Sequence, residues 1–282
     1  MGILHYDFIK SLLYHNMVNQ NTVLDRLVLA TNNTYIGVKT TPTDIELAEK
    51  GLIDKKLLSQ GYLSITSQGY YVYKRLLGEI DIDLDIVFAT PGTIILRGEE
   101  LFFNPIIRVY HEYILKVWCP VLPGKIALFT PCSKIKPIPK SFMNRKIDAI
   151  LRKYNLSVTV DRYIVSEPLG IIPYSQAYLF PTAHYDYPPD KLTAKEKELY
   201  VSIVADVLEK IIKYYDFIVY SLPRKHKEIF EQALNHIGVK AVYVPYNVYH
   251  LPKLRNKLLE IASCKDLLPS TSRLAEEAKI LA

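Results

Sequence analysis

Cysteine is scarce in this chain: Cys119, Cys132 and Cys264 are the three in 282 residues. The number is odd and the spacings match no zinc module, so neither a disulfide framework nor a metal site is expected. No apolar run reaches the roughly 20 residues needed to span a bilayer. The first seven residues carry no basic region and no signal-peptide core, so a soluble, cytoplasmic protein is expected. Also missing are a phosphate-binding glycine loop, a dinucleotide fingerprint and a nucleophile elbow. Nucleotide-dependent and serine-hydrolase chemistry is therefore disfavoured, and no cofactor is expected. Glutamine is sparse against Ile, Lys, Glu and Tyr, a balance found in thermophiles.

What is present is a globular composition, 49% hydrophobic, in a chain long enough for two domains and a sizeable core. The net charge of +6 is unevenly placed. Between Pro131 and Lys153 lie Lys134, Lys136, Lys140, Arg145, Lys146, Arg152 and Lys153 against Asp148 alone. Seven minus one gives six, the excess of the whole chain. Such a patch suits phosphate or nucleic acid, and it equally suits a solvated helix face.

Helical spacing runs from residue 6 to 30, and Asn21-Thr22 offers a helix start within it. The stretch 41–51 reads as a helix with Thr43 as N-cap, Glu46 completing a capping box and Gly51 as a stop. Residues 61–77 read as a short strand, a turn and a second strand or helix. Together these resemble the end of an archaeal winged-helix domain. Glu46 and Glu49 on the would-be recognition helix argue against tight DNA docking. Residues 79–86 alternate Glu or Asp with Ile or Leu and predict a half-buried strand with an acidic face. Another short strand is expected at 93–96. The domain boundary is placed near 95, giving a winged-helix-like domain over 1–95 and an α/β domain over 96–282.

From there helices and strands alternate. Helices are expected over 105–118, 145–154, 193–214, 225–237, 253–262 and from Ser270 onward. Strands are expected over 126–130, 160–165, 217–220 and 240–244. Strands alternating with helices of this length mean a parallel sheet covered on both faces.

Cys132 ends the first of these strands, where ligands bind in α/β folds. Lys134, Lys136 and a helix start near Ser141 would favour its thiolate, and the prolines at 131, 137 and 139 stiffen the loop. The same cysteine also fits a buried small apolar side chain. Cys119 and Cys264 read as packing. A second cluster, residues 165–189, is a long loop loaded with Pro, Gly and aromatics. Its Tyr174, Tyr178, Tyr185 and Tyr187 could stack on a base or simply pack the loop down. His184 and Asp186 could exchange protons. A third, weaker candidate is the loop 245–250 after the fourth strand.

The stretch Pro131-Cys132, three residues, Lys136-Pro137-Ile138, two residues, Ser141 resembles the signature of archaeosine synthases, Pro-Cys-x3-Lys-Pro-Tyr-x2-Ser-x2-His. Residues 166–173 and 178–186, and Phe103-Asn104-Pro105, are also similar to that family. The chain departs from the pattern at Ile138, where the family has Tyr, and at Asn144, where it has His. The resemblance covers roughly residues 100–250 and implies a compact or diverged form. It implies a uracil-DNA-glycosylase-like domain, a three-layer sandwich with a short parallel sheet. It further implies tRNA modification: transfer of free lysine onto the nitrile of 7-cyano-7-deazaguanine in tRNA, with a radical-SAM partner completing the amidine. On this reading Cys132, Lys136 and Asp186 are catalytic. Pro131, Ser141, Ser166, Gly170, His184 and Tyr185 bind substrate, and Lys134, Lys140, Arg145 and Lys146 bind nucleic acid.

Two rival readings share these residues. A DNA glycosylase would use the same fold, but the loop after the first strand offers Pro-Cys instead of a water-activating Asp or Asn. A non-catalytic nucleic-acid-binding or regulatory protein would fit the front end and the two departures.

Overall fold

The structure is a computed structural model that describes residues 17–187 and 192–263. The expected helix beginning near residue 6, Pro188 and Pro189, Cys264 and the helix from Ser270 lie outside the described residues. The chain groups into two compact units, residues 1–121 with 176–186, and residues 122–175 with 187–282.

The first unit opens with helix α1 (Met17–Thr31) and strand β1 (Thr34–Tyr35). Helices α2 (Pro42–Glu49) and α3 (Lys55–Leu58) follow, then β2 (Tyr62–Leu63) and α4 (Ser67–Leu76). β1 and β2 pair antiparallel, with Thr34 opposite Leu63. The cap of α2 is Thr41, not Thr43. Its side chain accepts from Asp44 N while the Asp44 carboxylate reaches back to the Thr41 backbone. Two capping boxes overlap in this sequence. Pro42 decides between them, because a proline is preorganised for the first helical position and lacks the N–H that would go unsatisfied there.

Residues 79–86 do not form the expected strand. Asp83 accepts from Asp85 N and caps a single helical turn, α5 (Leu84–Val87). The alternation survives only locally, with Ile82 buried between exposed Asp81 and Asp83. A short aspartate side chain beside free backbone N–H groups competes with strand pairing, and here it wins. Strand β3 (Leu96–Arg97) pairs parallel with β7 (Tyr185–Asp186). Helix α6 (Pro105–Glu112) runs on as a π turn, Tyr113–Val117. Residues 96–121, placed with the second domain on sequence, group with the first unit because their aromatics pack there. Tyr113 stacks near Tyr70 at 5.6 Å between ring centres, and the Tyr71 hydroxyl donates to Ile106 O.

The second unit is built on a five-stranded sheet of order β6-β5-β4-β8-β9. Its strands are β4 (Ile126–Pro131), β5 (Val160–Ser166), β6 (Gly170–Pro173), β8 (Phe217–Tyr220) and β9 (Val242–Tyr243). Four run parallel. β6 runs antiparallel to β5, so part of the expected long loop is a hairpin. Gly170 opens β6 at φ +80°, and a Cβ there would lie 2.6 Å from Ile203 Cγ2. Only glycine tolerates both that backbone and that approach.

Helices cover both faces of this sheet. α7 (Phe142–Lys153) and α10 (Leu251–Ser263) bury Ile147, Leu151, Leu254, Leu258 and Ile261 against Ile126, Leu128, Val160 and Val219. On the other face Phe129 stacks on Tyr163 and meets Phe230 of α9 (Arg224–Ile237). α8 (Ala194–Ile212) packs beside α9 and β6. A capping box of Thr193 and Glu196 starts α8, and Gly238 at φ +69° ends α9. A mixed α/β fold with helices on both sheet faces therefore stands, with one antiparallel edge strand. No helix among the described residues is long and apolar enough to cross a membrane.

Candidate functional site

The order of the strands fixes where a ligand would sit. From β4 the chain moves to β5 on one side through α7. From β8 it moves to β9 on the other side through α9, on the opposite face. Connections therefore diverge between β4 and β8, leaving a crevice at their carboxyl ends. Cys132 follows β4, Glu167 follows β5, and His226 lies in the first turn of α9, just after β8.

These three side chains converge. Cys132 Sγ is 3.6 Å from His226 Nε2 and 3.8 Å from Glu167 Oε2. His226 Nε2 is 3.2 Å from the same Glu167 oxygen. Glu167 and His226 are buried, whereas Cys132 keeps partial exposure. Burial disfavours charge on His226. The hydrogen bonds and negative charge of Cys132 and Glu167 together outweigh it and push the imidazole pKa up to about 10. The three donor atoms all lie within 4.8 Å of one another and could hold a metal ion. Tyr246, in the loop after β9, feels the same site. Burial raises its hydroxyl pKa and the charge of Cys132 raises it further, while Arg162 opposes.

Beneath the site lies a buried guanidinium. Arg162 of β5 donates to Asp148 Oδ1 and Asn144 Oδ1, both at 2.5 Å, and to Thr130 Oγ1 at 3.4 Å. Its plane stacks 3.8 Å from the Tyr174 ring centre, and the Tyr174 hydroxyl donates to Asp148 Oδ2. Asn144 also donates to Ser141 Oγ, so Ser141 occupies the N-cap position of α7 without capping it through its own side chain. Ile138 is fully buried. The two positions that depart from the Pro-Cys signature, Ile138 and Asn144, are thus interior residues here.

Of the other expected site residues, Pro131 ends β4, and Lys136 sits part-buried two residues before Ile138. Ser166 ends β5 opposite Gly170 across the hairpin. Lys134, Lys140, Arg145 and Lys146 are all exposed, and Lys146 lies over the exposed Phe142 ring at 5.4 Å. Asp148, the one acid of that segment, is bonded to Arg162 and Tyr174 and so is already engaged. His184, Tyr185 and Asp186 belong to the first unit. There His184 is buried against Ala89 O, 3.1 Å from Nε2, and burial lowers its pKa against the pull of its backbone bonds. Tyr185 is buried in β7, and Asp186 is exposed on it.

Sequence reasoning did not single out Glu167 or His226. They lie 35 and 94 residues from Cys132, and no local pattern links them. The usable signal was positional: both follow strands predicted to be parallel, where the chemistry of such sheets collects.

A family profile described as "Domain of unknown function (DUF5591)" matches residues 107–253. Archaeosine synthase subunit alpha of Methanosarcina acetivorans is 27% identical over 159 residues, 55% of this chain and 25% of that protein. The protein of the same name from Thermoplasma acidophilum is 28% identical over 207 residues, 67% of this chain and 36% of that protein. This chain therefore spans about a quarter to a third of those curated relatives. The crystal structure of AF0587, a protein of unknown function, overlaps with a TM-score of 0.41 at 16% identity, covering 57% of this chain and 52% of that one. That overlap is too low to establish a shared fold.

Proposed function

The chain belongs to the family described as Domain of unknown function (DUF5591), and we propose that it acts in archaeosine formation on tRNA. The reaction is addition of the amino group of free lysine to the nitrile carbon of 7-cyano-7-deazaguanine. The similarity to two archaeosine synthase alpha subunits supports this. One observation carries it to particular atoms. Cys132 Sγ, Glu167 Oε2 and His226 Nε2 converge at the carboxyl ends of β4, β5 and β8, and Cys132 is the cysteine of the Pro-Cys-x3-Lys-Pro motif. Uracil-DNA-glycosylase-like and winged-helix-like folds for the second and first units belong to the same proposal, as does a radical-SAM partner that completes the amidine.

Two routes conserve atoms without any oxidant. In the covalent route the Cys132 thiolate adds to the nitrile carbon while His226 delivers a proton to the nitrile nitrogen. The lysine amine then adds to the thioimidate and gives up a proton to His226, the carbon–sulfur bond breaks to release the Cys132 thiolate, and an amidine still carrying the lysine remains for the partner to process. In the direct route the amine adds to the nitrile carbon, Glu167 and His226 move its proton to the nitrile nitrogen, and Cys132 shapes the pocket. Proton transfer in this reading falls to His226 and Glu167, which lie against Cys132. Lys134, Lys140, Arg145 and Lys146 would engage backbone phosphates without reading sequence.

Mass spectrometry of nitrile-bearing tRNA incubated with the protein and lysine tests the reading. A lysine-sized mass gain on the modified base is expected, and its absence with well-folded protein sinks it. Full transfer by Cys132→Ala would eliminate the covalent route.

A further inference from the structure

We propose that Cys132 Sγ, Glu167 Oε2 and His226 Nε2 are three ligands of a zinc ion whose fourth position opens toward the substrate. The three atoms do not line up as a catalytic relay. In a cysteine–histidine–carboxylate relay the acid bonds the ring nitrogen turned away from the sulfur. Here sulfur and carboxylate both approach Nε2, so the three donors form a triangle and not a chain.

The dimensions of that triangle fit a metal. Ordinary zinc bond lengths in a tetrahedron place nitrogen and oxygen about 3.3 Å apart, and sulfur about 3.5 Å from either. The observed edges are 3.2 Å for nitrogen to oxygen, 3.6 Å for sulfur to nitrogen and 3.8 Å for sulfur to oxygen. A carboxylate oxygen, a cysteine sulfur and an imidazole nitrogen crowd one centre, and a metal ion there would take all three as ligands at once. A thiolate, an imidazole and one carboxylate are a donor set that zinc accepts. Three protein ligands with an open position is the catalytic pattern, and Cys132 is the one of the three that keeps partial exposure.

The metal itself does not depend on the proposed reaction. Its consequence for that reaction does: it selects attack by the lysine amine over attack by sulfur, with His226 Nε2 then taken up by the metal and the second carboxylate oxygen of Glu167 left to move the proton. A sulfur held by zinc is a ligand and not the attacking group, and a Lewis acid at the open position would draw charge from the nitrile nitrogen as the lysine amine adds to carbon.

The test measures metal first. The full chain is stripped with a chelator, loaded with zinc, dialysed and analysed by elemental mass spectrometry, with cobalt loading read by absorption. Roughly one zinc per chain is expected, together with a sulfur-to-cobalt charge-transfer band and the strong visible bands of a tetrahedral site. Cys132→Ser, Glu167→Gln and His226→Ala should each lower retained zinc at least tenfold, while Cys119→Ser and Cys264→Ser keep it. Absence of zinc from the loaded wild-type chain overturns the proposal even if a variant fails to fold. Zinc retained equally by the three ligand variants, or cobalt bound without the sulfur band, also overturns it. A zinc-loaded chain that transfers no lysine would instead sink the proposed reaction and leave the metal site standing.

Discussion

Two buried carboxylates, one in each unit, show how burial serves different ends. Asp44 is closed on every side. Arg26 grips it through two bonds of 2.7 and 2.8 Å, and the Thr41 N–H and hydroxyl donate to it at 2.8 and 2.9 Å. Burial raises its pKa, but Arg26 and Thr41 together hold it below the ordinary aspartate value. Glu167 is equally buried, yet it faces a thiol and an imidazole nitrogen that also face each other. The first arrangement uses a charge to lock α1 to the start of α2. The second leaves donor atoms pointing at a common centre, and such incomplete satisfaction marks functional sites more often than scaffolding ones.

That contrast can be broken most sharply at Glu167. Glu167→Gln is expected to lower lysine transfer by about a hundredfold or more, with little change in unfolding midpoint, because the group is positioned for chemistry. A loss of stability matching the loss of activity would make Glu167 a second Asp44. Asp44→Ala should do the reverse, destabilising by about 3–5 kcal/mol in a denaturant titration because it strands Arg26. Acid should act on stability through Asp44. The folded pKa of Asp44 lies below its unfolded value, so its contribution is complete above that unfolded value and fades as pH falls through the folded one. In Asp44→Asn this part of the acid sensitivity should vanish, read as a flatter stability profile below about pH 4. The smallest effect belongs to the exposed basic residues. Lys140→Ala, Arg145→Ala and Lys146→Ala combined should leave stability unchanged and lower the salt slope of tRNA binding by about 2. An unchanged slope would assign them to solvent.

Much of the second unit was legible in the sequence because its signals are local. Thr193 and Glu196 sit three apart at a helix start, Gly238 ends a periodic run, and the buried strands 126–131, 160–166 and 217–220 are short apolar stretches between helices. The failures were contests between local options. Thr41 and Thr43 both head a capping box, and only Pro42 separates them. Asp83 could face solvent from a strand or cap a helix, and its carboxylate found Asp85 N. The hairpin after β5 hid in a run rich in Pro and Gly, since its turn depends on a left-handed Gly170 packed against a distant Ile203. The candidate site was half visible. Cys132 stood at a strand end, but the meeting of Glu167 and His226 with it is made by strand order, which no window of sequence contains.

Arg162 has a consequence of a different kind. One guanidinium holds Thr130 near the end of β4 and Asn144 and Asp148 in α7, so both ends of the intervening loop are tied to the same point. A loop anchored in this way can be rewritten without moving what it joins. Substitutions at exposed positions such as Lys134, Ile135 and Lys140 would therefore change the surface the loop presents while leaving the atoms at the strand ends in place.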